Sequence, residues 1–350
     1  MNSNNINTIE NRSEIIFAFD AIDANPNGNP LSGSNRPRID EQTQQAIVTD
    51  VRLKRYLRDQ MTDDGHTILI VRADDHIGDV LTRKDLFEDV IGVDSPEDLP
   101  DEPLADFLAK AADVRLFGAT FSINADEGTV VDAALSKMPG QLTGPVQVQP
   151  GKSIHPVQTN EQYNSLTSVI ATQEGKQQGG FDLDDHRIKY AFITSNAVAN
   201  ETAADSTHLS EGDVERLDTL YWRALKNQTN SRSKSGQNPR LYIRVEYATD
   251  HYHIGGLNTL LKMDEDRSKP APELRATHDI CVDATDLLDR LKLSSDHIET
   301  IHVKADPSLR LSVDDAELNC NEFYAKLSEV FGDDRIHVID VYDEYEATLA

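Results

Sequence analysis

Residues 23–61 read DANPNGNPLSGSNRPRIDEQTQQAIVTDVRLKRYLRDQM, and the rest of the chain is organised around them. Before this stretch, Glu14–Ile22 (EIIFAFDAI) is an apolar, aromatic-containing run of strand length. The loop that follows offers Asn25, Asn27, Gly28, Asn29, Gly33 and Asn35. These residues tolerate left-handed backbone and expose N–H groups. Thr49 is a good N-cap for a helix running to about Met61. On a helical wheel Leu53, Tyr56, Leu57 and Met61 fall on one side, and Lys54, Arg55 and Arg58 on the other. A donor-rich loop feeding a helix with one basic face is the pattern of a phosphate-chain cradle. A solvated helix face after an ordinary strand–loop–helix turn has the same pattern, so the charge of the remaining chain must choose between them.

The 350 residues suffice for one large domain with insertions, or for two domains. Net charge is −27, from 34 Lys and Arg against 61 Asp and Glu. That sign alone reads as avoidance of nucleic acid. The acids, however, are spread over helices and loops with no acidic tail or block, the composition of a protein coated for a salty cytoplasm. Against that coat, acid-free windows stand out at residues 24–39, 133–160, 186–200 and 219–245. They hold Arg36, Arg38, Lys152, His155, Arg187, Lys189, Arg232, Lys234, Arg240 and Arg244 among their bases. Several separated segments cleared of acid and given bases assemble one non-acidic surface, for which a polyanion is the natural ligand. Buried strands also lack acids, which would account for 186–200 and part of 133–160.

Cys281 and Cys320 are the only cysteines, so no disulfide framework and no Cys-based zinc site is expected. The N-terminal stretch MNSNNINTIENRSE is polar, and no run approaches the length of a membrane span. The expectation is a cytoplasmic protein with no membrane partner.

Further along, Thr67–Ala73 (TILIVRA) reads as a second strand, and Leu81–Val90 and Leu104–Ala112 as short helices in an acidic insertion. Asp113–Thr120 returns to the core, and 121–151 ends in the strand-like PVQVQ. Residues 156–185, polar and rich in Gln, Asn and Gly, have the pattern of a long projecting hairpin before the strand Ile188–Thr194. Ser210–Lys226 has helical spacing and leads through the basic loop QTNSRSKSGQNPR into the strand Leu241–Ala248. The C-terminal third reads as helix 284–293, strand 298–304, helix 317–331 and a last strand, Arg335–Tyr342. Interleaved strands and helices with hairpins predict an α+β fold of helices on an antiparallel sheet, best fitted by a βαββαβ ferredoxin-like core with insertions.

Tests for chemistry return little. Asp23-x-Asn25-x-Asn27-Gly28 starts like a calcium loop, but position twelve is Ser34 and Pro26 interrupts it. Gly151-Lys152-Ser153 looks like the end of a P-loop, yet Val146 stands where the first glycine belongs. His251 and His253 could share a strand face as metal ligands, but no third ligand is near. His155 beside Ser153 could serve as a general base, and Asp20 and Asp23 have no assigned partner. No catalytic group, cofactor or metal site is assigned.

The combination NPNGNP…NRPRID…VTDVRLKRYLRD, then DVRLFGAT, GPVQVQPGKSIHP and a helix followed by NSRSKSG resembles the backbone subunit of type I CRISPR Cascade complexes, in the RAMP superfamily. It is most similar to the Csh/Csd-type subunits of type I-B or I-C, with I-B from a salt-adapted organism favoured. The resemblance covers about residues 14–248. It implies an RRM-like palm (14–61, 113–155 and 187–350), a helical fingers insertion (62–112) and a protruding thumb hairpin (156–186). It also implies that copies polymerise along a guide RNA (crRNA) with other Cascade subunits, each gripping the RNA backbone, and that target DNA is met through the crRNA. By motif position the RNA contacts would be Asn25, Asn27, Arg36, Arg38, Thr49, Lys54, Arg55, Arg58, Lys152, Ser153, Arg232, Ser233 and Lys234. Backbone subunits of type I are not nucleases, although type III relatives cut RNA with an aspartate, so a RAMP-type endoribonuclease using Asp20, Asp23 or His155 is the alternative. One departure matters: the thumb segment here lacks most of the bases usual in the family.

Overall fold

The computed structural model describes residues 8–29, 35–71, 82–160, 162, 165–169, 179–183, 185–229 and 233–349. Its centre is β1 (Ser13–Ala24). The two-residue period of a strand explains why: Ile15, Phe17 and Phe19 enter one apolar cluster, Ile16 and Ala18 another, and all five are buried. β1 is therefore a strand covered on both faces. After the Asn-rich loop come β2 (Ile47–Val48) and α1 (Asp50–Asp63), which starts on Thr49 with its Oγ1 accepting from Arg52 N at 3.3 Å.

A helical lobe follows. α2 (Arg83–Ile91), α3 (Pro103–Lys110), α4 (Ala112–Phe117) and α5 (Val130–Leu135) enclose Phe87, Phe107 and Phe121; Phe87 stacks on Phe107, and Phe121 meets both edge-on, all within 6 Å. β3 (Gly118–Thr120) and β4 (Gln141–Thr143) form a small ladder beside it. β5 (Val146–Val148), β6 (Gly151–Ser153) and β7 (Thr159–Asn160) return to the main sheet, while β8 (Ser165–Val169) and β9 (Gly179–Leu183) pair only with each other. Next come β10 (Arg187–Ala199), α6 (Glu201–Ala204), α7 (Glu211–Lys226) and β11 (Gln237–Tyr247). The C-terminal part contains β12 (Lys262–Met263), β13 (Val282–Asp283), α8 (Thr285–Leu293), β14 (Ile298–Ala305), β15 (Leu311–Val313), β16 (Ala316–Leu318), α9 (Cys320–Phe331), β17 (Ile336–Val338) and α10 (Val341–Leu349).

The main sheet runs β17-β14-β11-β1-β10-β6-β2, with β5 and β7 also on β10. Its pairings are antiparallel except β14 with β17. The apolar sides of α1 and α7 lie together on one face, with Leu53, Tyr56, Leu57 and Met61 meeting Val214, Leu217, Leu220 and Tyr221. The other face is covered by the C-terminal part, through Leu287, Leu288, Phe323 and Leu327 among others. The protein is thus a mixed α and β structure with helices packed on a largely antiparallel sheet.

Two expected strands are absent or cut short. Residues 67–71 of the TILIVRA run form no strand; Leu69 N and Ile70 N bond instead to the Asp113 carboxylate at 2.7 and 3.2 Å, so the run is a connector in which Ile68 and Leu69 are buried and Ile70 is exposed. The expected last strand ends at Val338, and the chain turns into α10 on the Asp340 carboxylate, which accepts from Tyr342 N and Asp343 N.

Candidate nucleic-acid interface

Three of the acid-free windows meet at one end of the sheet. Residues 25–29 and 35–38 lie side by side: Asn29 N donates to Arg36 O at 2.8 Å, and Gly28 pairs with Pro37. A Cβ on Gly28 would lie 2.1 Å from Asn35 Oδ1, so any side chain there would displace the Asn35 amide. At the base of the loop Asn25 N donates to Ser233 O at 2.7 Å, which joins it to the segment before β11. On the other side Ile47 of β2 stands opposite Lys152 of β6, which brings in the third window. The fourth, residues 186–200, is mostly β10, a buried central strand, and owes its lack of acid to burial.

Within this assembly the amides are bound up in the protein itself. Asn27 Oδ1 accepts from Thr49 N at 2.7 Å and from Thr49 Oγ1 at 2.9 Å, tying the loop to the N-terminus of α1. Asn25 Nδ2 donates to Asn35 O at 2.8 Å, and the Asn25 carbonyl accepts from Lys234 Nζ. Tyr56 of α1 reaches the same loop, donating its hydroxyl to Pro26 O at 2.8 Å. Ser153 is buried, with Oγ donating to His155 O at 2.7 Å and accepting from Ala46 N at 2.9 Å. Both asparagines, Thr49 and Ser153 therefore fix the shape of the edge through side chains that are already engaged.

The basic side of α1 is equally committed. Arg58 Nε donates to Asp113 Oδ2 at 2.9 Å, and Asp113 is fully buried. Arg55 Nε donates to Asp59 Oδ1 at 2.7 Å and its Nη1 to Ile70 O at 3.1 Å. Lys54 lies 3.9 Å from Asp50 and 5.8 Å from the Phe117 ring centre, and burial pulls its ammonium below the usual lysine range. Arg38 is half-buried, with Nη2 on Asn29 Oδ1 at 3.4 Å. Arg36 and Lys152 are the candidates whose side chains stand exposed. Ser233 is half-buried and contributes its carbonyl; Arg232 lies outside the described residues.

Lys152 also opens onto a groove that the motifs do not indicate. It holds about 520 Å³ between Gln45, Gln149, Lys152 and Thr194 on one side and Asn258, Thr259 and Lys262 on the other. No carboxylate lines it. The far wall comes from a segment with its own sequence signal, the acid-free run 251–263, shorter than the four windows and interrupted by no motif.

The groups considered for catalysis are engaged elsewhere. His155 Nε2 accepts from Phe192 N at 3.1 Å, which places the ring proton on Nδ1, directed at Pro156 O at 2.9 Å. Its ring stacks on Tyr190, and burial pushes its pKa down. Asp20 is fully buried, bonded to Arg240 Nε at 2.8 Å and Thr277 Oγ1 at 2.7 Å; burial raises its pKa against the pull of Arg240. Asp23 adopts φ +44° and accepts from Asn160 Nδ2 at 3.0 Å, while its carbonyl takes Arg187 Nη1 at 3.1 Å. Asp23 thus ties the end of β1 to the strands flanking β8 and β9. His251 is directed at Glu201, 3.1 Å away, and His253 at Arg12, 3.4 Å away. Among the described residues no three His, Cys, Asp or Glu side chains converge on a metal-sized site, and no helix is long and apolar enough to cross a membrane.

Residues 11–285 match the family profile of CRISPR-associated protein Cas7. The chain is also 50% identical over 344 residues to the CRISPR-associated protein Cas7 of Haloferax volcanii, covering 96% of this chain and 98% of that one. The chain belongs to the Cas7 family. Among solved structures it is similar to a chain of a CRISPR RNA-guided surveillance complex in a pre-nicking state, at 12% identity and TM-score 0.49, covering 97% of this chain and 99% of that one. A second CRISPR RNA-guided surveillance complex gives 10% identity and TM-score 0.44, with 97% and 98% covered. At those scores the two likenesses add nothing to the family assignment. The profile ends at Thr285, so in this Cas7 family member β14, β17 and the helices that cover the second sheet face lie beyond the matched region.

Proposed function

We propose that this chain is the guide-RNA-binding backbone subunit of a type I CRISPR interference complex. Copies follow one another along the crRNA, and each holds the RNA backbone while base pairing reads the target DNA. The observation that carries this reading is the joining, at one end of the sheet, of three acid-free segments in a protein of charge −27. The partners are then crRNA, further copies of the chain, other Cascade subunits and, through the crRNA, target DNA. The acidic coat favours a salt-adapted cell; the motif resemblance favours a type I-B system, with the complex in the cytoplasm.

The strand path also supports an RRM-like palm. Taking β1, α1, β6, β10, α7 and β11 as a βαββαβ unit, the spatial order β11-β1-β10-β6 is that of a ferredoxin-like sheet. Residues 62–112 would then be the fingers and 156–186 the thumb, whose described part is the β8–β9 ladder. Arg36, Lys152 and Arg232 are the bases we assign to phosphate contact. We assign no catalytic role: the ring nitrogens of His155 and the carboxylate of Asp20 already have protein partners.

The test is a pull-down of the chain in molar KCl, followed by sequencing of any bound nucleic acid. Short RNAs of uniform length with a repeat-derived end, together with other proteins, are expected. Recovery of protein without RNA would remove this reading. Incubating RNA with the protein, with and without divalent metal, tests the endoribonuclease alternative; products lost on Asp20→Ala, Asp23→Ala or His155→Ala would establish it.

A further inference from the structure

The segment before β11 grips the donor loop from beneath. Ser233 O accepts from Asn25 N at 2.7 Å, and Gly236 O accepts from Ile22 N at 2.8 Å. A Cβ on Gly236 would sit 2.0 Å from Ile22 O, so the two backbones touch. Gln237 Nε2 bonds to Lys234 O at 3.1 Å and to Tyr56 Oη at 3.2 Å, and Tyr56 in turn reaches Pro26. In the middle of this strap Lys234 Nζ donates to the Asn25 carbonyl, and Asn25 Nδ2 closes the far end of the loop on Asn35 O.

We propose that Lys234 is a positioning residue for RNA binding: its Nζ holds the 25–38 loop in its folded form and does not itself contact a phosphate. The proposal rests on the RNA-binding reading above. A lysine that meets phosphate needs its ammonium in water, charged and free to turn. Lys234 is half-buried with its Nζ on the Asn25 carbonyl, and burial, with Arg52 nearby, brings its pKa down to about 7. It is thus a weak charge and a well-placed donor. Losing it lowers the fraction of molecules with a folded loop, and apparent affinity falls by that fraction. The number of phosphates neutralised stays the same.

Salt dependence separates the two roles. Fluorescence anisotropy of a labelled single-stranded RNA with the full chain, over a KCl series, gives affinity and slope together. Lys234→Met is expected to weaken binding roughly five- to tenfold, the loss of one hydrogen bond, with the slope of log K against log salt unchanged. Lys234→Gln, which keeps an N–H donor without charge, is expected to restore binding to within about threefold of the parent. A slope reduced by about 0.7 in both variants, the loss of one phosphate from a single strand, would overturn the proposal. So would unchanged affinity in Lys234→Met. Thermal melts confirm that each variant is folded. Reductive methylation of the unmodified chain needs no variant: Lys152 is expected to react and to be protected by RNA, while Lys234, half-buried on the Asn25 carbonyl, is expected to be labelled to the same extent with and without RNA. Labelling of Lys234 that RNA suppresses would sink the proposal. If the parent chain binds no RNA in any salt, it is the RNA-binding reading that fails.

Discussion

Asp113 should be a costly carboxylate to remove. It is fully buried and holds three donors: Arg58 Nε at 2.9 Å, Leu69 N at 2.7 Å and Ile70 N at 3.2 Å. Asp113→Ala leaves two peptide N–H groups without acceptors, at about 1–3 kcal/mol each. It also strips Arg58 of its counter-ion, at about 3–5 kcal/mol for a fully buried pair. Arg58 keeps 11% of its side-chain surface exposed and can turn toward water, and adjacent losses do not add in full. The expected total is about 4 kcal/mol. For a chain of this length, with unfolding entropy of about 2.1 cal/mol/K per residue, that lowers the melting temperature by about 5 °C.

The sharper form of this prediction is a double-mutant cycle. Arg58→Met in the Asp113→Ala background removes the stranded charge, so the double variant should regain about 1–2 kcal/mol over Asp113→Ala alone. Melts in molar KCl measure both steps, and hydrogen exchange at residues 67–71 should rise in both variants. Additive losses, or a shift under about 1 °C for Asp113→Ala, would show that Arg58 is not held there and could instead reach RNA.

Lys152→Ala should leave the melt unchanged, because the side chain is exposed, and should cut the RNA salt slope by about 0.7; an unchanged slope would remove Lys152 from the interface. Gly236→Ala should cost about 3 kcal/mol or more, or prevent folding, because its Cβ meets Ile22 O at 2.0 Å; a normal melt would refute the close approach. Glu246 carries a pKa lowered from 4.5 to about 2, first by the His302 ring, whose Nε2 lies 3.6 Å away, and then, against burial, by Asn11 and Arg244. A depressed carboxyl stabilises the fold above its unfolded pKa and loses that contribution as pH falls toward about 2. The wild type should therefore lose about 1–2 kcal/mol relative to Glu246→Gln across that window, allowing for solvent screening; parallel acid titrations of the two would refute it.

Elements whose causes are local could be read from the residues. Thr49 caps α1, and the apolar positions 53, 56, 57 and 61 face the core as the wheel requires. Ser210 begins α7 with a capping box to Asp213, close to the boundary expected from spacing alone. What escaped depends on partners far along the chain. The run TILIVRA has the apolarity of a strand, but whether it joins a ladder is decided by Asp113, more than forty residues away. Spacing places Arg55 and Arg58 on the polar side of α1; it says nothing of Asp113 beneath Arg58 or the Ile70 carbonyl beside Arg55. The loop asparagines look like free donors in the sequence because their acceptors, Asn35 O and Gly28 O, appear only when residues 25–29 and 35–38 come side by side.

This placement bears on how an acidic protein holds RNA in salt. An RRM presents aromatic side chains from its open sheet face to stack bases. Here that face carries Tyr190, Phe192, Leu241, Ile243 and Tyr247, all buried beneath the C-terminal part. On the reading proposed above, a strand of RNA is left with the edge: the loop, the first turn of α1, β6 and the groove beyond Lys152. At that edge few bases are exposed, so counter-ion release from each copy contributes little, and in a salty cell it contributes less. Affinity must then come from donors held in fixed positions and from successive copies acting on one RNA, where each added subunit binds at high effective concentration. The contacts that Asn25, Asn27 and Lys234 make within the protein are what the proposed design requires, because backbone already fixed at the base of the loop loses no further entropy when RNA binds.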